Sequence, residues 1–136
     1  MKLKEAVSIY KVLGEAKVSS LEESEIVKVV KTRKALRQFA EEYEAFLKDA
    51  QEKFKPENFE ELQNKLQKWN ELSEEEKIEV NKQVRMYEFN INLAVGEELE
   101  KEIDVTVEKL SEESLTKLLK HNDWQMSKLD ELQPIV

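Results

Sequence analysis

The sequence has no cysteine, one histidine, two glycines and two prolines among its 136 residues. Without cysteine there are no disulfides, no thiolate nucleophile and no cysteine-based zinc or iron–sulfur centre. The absence also agrees with a reducing, intracellular setting. So little glycine and proline argues against a turn-rich all-β sandwich and against low-complexity disorder. The single histidine, His121, excludes histidine-rich zinc sites. It also fails the Glu-x-x-His pattern of bundle-held di-iron and di-manganese sites, because Leu118 stands three residues before it. A solvent-facing place near a helix C-terminus, where imidazolium favours the dipole, is the simpler reading of His121. Gly14 and Gly96 lie far apart, so there is no glycine-rich phosphate loop, and no G-x-S-x-G nucleophile elbow is present. No run approaches the ~18 apolar residues that span a membrane. Met1–Leu13 has no apolar core and no small-residue cleavage site, so a cytoplasmic protein is expected.

Charge is abundant by contrast. Lysine and arginine number 22 against 30 aspartate and glutamate, a net −8. Such a molecule repels nucleic acid and anionic membranes, and neither is expected as a partner. The balance is uneven along the chain. Residues 1–55 are slightly basic, and Lys28, Lys31, Arg33, Lys34 and Arg37 form a block with no acid between Ile26 and Ala40. No stacking aromatics interleave it, which makes it a poor nucleic-acid footprint. The later residues are strongly acidic, and Glu97, Glu98, Glu100, Glu102 and Asp104 form the obvious complement. Pairing of the two blocks, within the chain or across a subunit interface, would set orientation more than stability.

Hydrophobic periodicity predicts a mainly α fold. Leu3, Ala6, Tyr10 and Leu13 mark a first helix ending near Gly14, where glycine is a natural stop. After the linker Ala16–Ser20, Ser20 and Glu23 have the capping-box form. A long helix over Leu21–Phe54 then carries Ile26, Val29, Leu36, Ala40, Tyr43, Leu47, Ala50 and Phe54 on one stripe. At ~1.5 Å per residue it is about 50 Å long, which suggests an elongated antiparallel hairpin or coiled-coil body. Pro56 breaks it and is expected at the first position of a third helix bearing Phe59, Leu62, Leu66 and Trp69. Ser73 and Glu76 repeat the capping box and open a fourth helix with Val80, Val84, Tyr87, Ile91 and Ala94, running to about Glu98. Tyr87, Phe89, Ile91, Leu93 and Val95 also alternate at the strand period, so a hairpin of 86–95 with 102–108 competes with the helix. The helical reading is preferred because the capped run is long and unbroken. Ile103, Val105 and Val107 predict a short β element near 102–108, and Ser111 caps a last helix through Leu115, Leu118 and Leu119.

No internal repeat or flexible linker divides the chain, so a single helical domain is expected. The acidic pairs Glu41–Glu42, Glu74–Glu76 and Glu97–Glu98 fall mostly off the apolar stripes and read as solvated faces, not as acid–base dyads. The aromatics read as core. Phe39 beside Ala40 and Phe46 beside Leu47 widen the long helix's stripe beyond a two-helix seam, which points to at least three helices or a second copy. The segment 123–136 is too apolar for a solvated tail. Its Trp124, Leu129, Leu132 and Ile135 lie outside the periodic body and are the expected anchors for a protein partner.

The order of these features resembles a family of small helical phage and prophage proteins of unknown function. The likeness is carried by Ala6-Val7 and Leu13, Arg33-x-x-Leu36, the run Ala40-Glu-Glu-Tyr-Glu-x-Phe46-Leu47, the later stretch Glu98–Leu119 with Lys109-Leu110-Ser111, and the proline-bearing tail. Pro56–Leu72 departs from the family, whose members have a loop there. The resemblance implies a phage-encoded accessory or virion-assembly role in a bacterial host cell, and it brings no catalytic residues. A non-enzymatic assembly factor or adaptor, with no cofactor and a homodimeric state, is therefore the expectation. The alternative is an acidic decoy that occupies the basic site of a host nucleic-acid-binding protein.

Overall fold

The computed structural model describes residues 1–136 and contains six α-helices. They are α1 (Leu3–Glu15), α2 (Glu23–Phe54), α3 (Phe59–Gln67), α4 (Glu74–Leu99), α5 (Glu112–Asn122) and α6 (Met126–Leu132), with 3₁₀ turns at Trp69–Glu71 and Gln133–Ile135. The mainly α expectation holds. The 86–95 segment is helix throughout, and the competing hairpin does not form.

The chain divides into two compact units, Met1–Glu44 with Leu99–Val136, and Ala45–Glu98. The first contains the principal hydrophobic core, formed by α1, the first part of α2, the extended segment 103–110, α5 and the C-terminal turns. Helix α1 contributes Leu3, Ala6, Ile9, Val12 and Leu13 at spacings of three and four. Its centre is Ile9, fully buried, whereas Tyr10 sits at the edge. Leu21 just before α2, and Glu25, Val29, Thr32, Leu36 and Ala40 on it, form one buried line. Two polar residues thus occupy a stripe whose apolar members alone were legible. Glu25 is held because its Oε1 accepts the Ser111 N–H at 3.3 Å, tying α2 to the start of α5. Thr32 Oγ1 has no partner. An unpaired buried hydroxyl carries a desolvation cost with no return. Thr32→Val is therefore expected to raise the unfolding free energy by about 1 kcal/mol. A loss on chemical denaturation would mean that the hydroxyl is hydrogen-bonded after all.

Several boundaries differ from expectation, each for a local reason. Helix α1 ends near Gly14 as expected, at Glu15, but Gly14 is not the left-handed stop, since neither glycine has positive φ. The role of Gly14 is spatial. The Arg33 guanidinium lies 4.5 Å from the Tyr10 ring centre, and a Cβ on Gly14 would stand 2.9 Å from Arg33 Nη2. The glycine gives the flat cation room to stack on the aromatic face. Ser20 does not cap α2, which begins at Glu23; a turn with the Leu21 N–H on the Val18 carbonyl instead buries Leu21 in the core. Pro56 does not start α3. It lies in the turn before it, where its carbonyl accepts the Phe59 N–H at 3.1 Å. By contrast the Ser73–Glu76 capping box forms as expected, with reciprocal bonds of 3.2 and 3.4 Å. Ser111 likewise caps α5, its Oγ accepting the Ser114 N–H at 3.1 Å.

The predicted β element near 102–108 is not a strand. The only bridge is Lys2 with Glu102, where the Leu3 N–H reaches the Lys101 carbonyl and the Ile103 N–H reaches the Met1 carbonyl, both at 2.9 Å. Beyond it the alternation of Ile103, Val105 and Val107 has another cause. One side of an extended segment faces the core while the other faces water, and no neighbouring chain runs alongside to make a ladder.

The second unit comprises the end of α2, α3, the Trp69–Glu71 turn and α4 up to Glu98. Its buried residues are Ala50, Leu62 and Val80. Tyr87 organises this unit. Its ring meets Phe59 at a centroid distance of 5.9 Å, and its hydroxyl donates to the Gln51 carbonyl at 3.1 Å. Asn58 Nδ2 donates to Gln83 Oε1 at 3.0 Å, joining the start of α3 to α4.

Candidate interaction surface

The four expected anchors lie within the first unit, and two of them belong to its interior. Leu132 and Ile135 have 0% exposure, while Trp124 packs partly buried against the same core and Leu129 is half-buried. Helix α6 rests on α1, and the Ile135 carbonyl accepts the Leu110 N–H at 2.7 Å. These side chains complete the core of their own chain. Leu132 and Ile135 are thereby withheld from any partner, which corrects the expectation for these two anchors; Trp124 and Leu129 keep part of their surface exposed.

The charge blocks are also arranged differently. Glu100 accepts from Lys2 at 2.7 Å and from Lys4 at 2.6 Å, and Glu102 pairs with the N-terminal ammonium at 3.3 Å. Their cations come from the start of the chain, not from the basic block. Within that block Lys28 pairs with Glu25 and reaches the Lys109 carbonyl, while Arg33 stacks on Tyr10. Lys31, Lys34 and Arg37 are exposed, as are Glu97 and Asp104, and Glu98 is half-buried. The expected pairing of the two blocks is thus not the one that Glu100, Glu102, Lys28 and Arg33 make.

Hydrogen bonds from Lys2 and then Lys4 pull the Glu100 carboxyl from its ordinary 4.5 to about 2. The same contact raises the Lys2 ammonium. A depressed carboxyl contributes stability above its unfolded pKa and loses it as pH falls toward the folded value. Titration of Glu100 by NMR is expected to show a midpoint near 2 at low salt, rising as salt screens the exposed pair. A midpoint at the ordinary value would show that the two lysines do not hold it.

His121 is exposed in the last turn of α5, beside Lys120. No three histidine, aspartate or glutamate side chains are grouped so as to hold a metal ion. No helix is long and apolar enough to cross a membrane.

The surface that stands out is on α4. Its inner face is the expected stripe, with Val80 buried and Val84, Tyr87, Ile91 and Ala94 half-buried. Its outer face carries Ile78, Met86, Phe89 and Leu93, exposed by 68, 60, 64 and 56%. Lys82 and Arg85 flank them, and the residues from Ile78 to Phe89 line an open groove of about 700 Å³. Nothing in the chain covers these four side chains.

No protein-family model, curated protein or solved structure matches this chain. The surface must be read from its own chemistry.

That chemistry had a sequence signal. The alternation of Tyr87, Phe89, Ile91, Leu93 and Val95 is the superposition of two helical stripes. Val84, Tyr87, Ile91 and Ala94 repeat at spacings of three and four, and so do Met86, Phe89 and Leu93. A helix apolar on opposite faces mimics the period of a strand. It also demands cover on both sides.

Proposed function

We propose that this chain is a non-enzymatic interaction protein that works through helix–helix contacts, with the outer face of α4 as its docking surface. The observation that carries this is the exposure of four large apolar side chains on one helical face. Single exposed leucines are ordinary, but a run at helical spacing over four turns is the pattern that a partner helix or groove recognises. The end of α2 and α4 act in this reading as arms of an antiparallel hairpin, for which the Tyr87–Gln51 bond is support. Assembly or adaptor work for a phage, in the host cytoplasm or on the virion, is the setting that the sequence resemblance suggests. The decoy alternative needs the carboxylates of 97–104 and 112–113 to form one free acidic ridge, and Glu100, Glu102 and Glu113 already hold cations of the same chain.

Met86→Glu and Phe89→Glu test the reading. Both sites are exposed, so each variant is expected to keep its helical circular dichroism and its stability within about 0.5 kcal/mol. Each is expected to abolish the associations that the wild type makes, as read by light scattering and by capture of binding proteins. Variants that retain every association would remove α4 from the function.

A further inference from the structure

We infer that the occupant of the α4 outer face is a second copy of this chain, docked antiparallel through the same face; this rests on the interaction reading above. The argument is the distribution of charge along the stripe. Lys82 and Arg85 stand at one end and Glu97 at the other, all three exposed and none engaged in an ion pair or hydrogen bond within the chain. Between the ends the face presents Met86, Phe89 and Leu93.

A two-fold interface is isologous: whatever residue i touches on the partner, the partner's copy of i touches in return. An axis crossing the helix close to Phe89–Ile91 satisfies this for the stretch from Lys82 to Glu97, and leaves Ile78, one turn before Lys82, outside the paired length because α4 ends at Leu99. It stacks the Met86, Phe89 and Leu93 side chains of both copies against one another. It also brings Lys82 and Arg85 of each copy to within a turn of the other's Glu97. A parallel pairing would oppose like charges along the whole length. An acidic partner helix would suit Lys82 and Arg85 but be repelled by Glu97, and a basic one would meet the reverse problem. The face is complementary to itself. Gly96 adds room at the acidic end, since a Cβ there would meet no atom within 4 Å of its own chain.

The test uses the full chain. Sedimentation and light scattering are expected to give twice the 16.0 kDa protomer mass. Arg85→Glu and Glu97→Arg are each expected to weaken dimerisation about tenfold, because the symmetry axis counts every pair twice. Together the two exchanges restore it. The absence of native cysteine allows a geometric check without background. In the antiparallel dimer the two copies of position 82 stand about 25 Å apart along the helices. Lys82→Cys mixed with Glu97→Cys is therefore expected to form the mixed disulfide, and neither variant alone to cross-link. Homodisulfides from either variant, or an unrescued double exchange, would overturn the antiparallel arrangement. A monomeric wild type would overturn self-pairing altogether. If that monomer still captures a different protein in a way that Phe89→Glu abolishes, the interaction reading stands and only the occupant is wrong; if it does not, both fail.

Discussion

Leu132→Ala is expected to lower the unfolding free energy by about 3 kcal/mol, within the usual range for a fully buried leucine. Leu132 has no exposed surface and joins α6 to the core that α1, α2 and α5 share. The cost has two parts: the transfer free energy of the lost methylenes, and the dispersion contacts that the surrounding Leu, Ile and Val side chains forfeit around the cavity. Phe89→Ala is the control. It removes a larger side chain, yet that side chain is mostly in water, so monomer stability is expected to change by no more than about 0.5 kcal/mol. Denaturant titrations of both variants, under conditions where any dimer is dissociated, decide between a C-terminal segment that is core and one that is a free arm. Equal, small effects would return 123–136 to the surface.

Asn122→Ala is expected to cost about 2 kcal/mol despite removing few atoms. Its side chain accepts the Lys17 N–H at 2.7 Å, donates to the Lys17 carbonyl at 3.0 Å, and donates to the Leu118 carbonyl at 3.0 Å. One amide thus pairs with the linker backbone as a strand neighbour would, and closes the end of α5. The bonds are near the surface, so water replaces some of what is lost, which keeps the figure below the sum of three buried bonds. Asn122→Asp is the sharper variant. It retains the acceptor for Lys17 N–H but exchanges both donors for a carboxylate facing two carbonyl oxygens, and it is expected to be at least as damaging as alanine. Hydrogen exchange at the Lys17 amide checks the mechanism directly. Protection that survives in Asn122→Ala would show that the linker is held by something else.

The two units differ in what can be changed without loss. In the first, α1 and the C-terminal turns are buried on the same core, and one polar contact, Glu25 with Ser111, orients α2 against α5. In the second, the apolar residues of α4 outnumber the buried positions available to them. The excess lies on the outside. That imbalance is what makes α4 the surface to mutate first.

Local chemistry was sufficient to place most of the helices. The Ser73–Glu76 box and the Ser111 cap satisfy amides only a few bonds away, so their residues announce them regardless of the rest of the fold. The spacing along α1 and along the inner stripe of α4 needs only the 3.6-residue repeat. Other features depend on distant parts of the chain. Gly14 has the composition of a stop signal but serves as a hollow for Arg33, nineteen positions later in the chain, against Tyr10. Ile103, Val105 and Val107 have the pattern of a strand, yet a ladder requires a neighbour, and only Lys2 is alongside at 102. Leu132 and Ile135 are apolar in either reading; whether they face a partner or their own core depends on α1 closing over them. The outer stripe of α4 was written in Met86, Phe89 and Leu93 but overlaid by the inner one. Periodicity reports that a residue seeks cover, since that follows from its transfer free energy alone. Which surface provides the cover is a matter of contacts between residues far apart in the chain, and these exist only once the helices have packed.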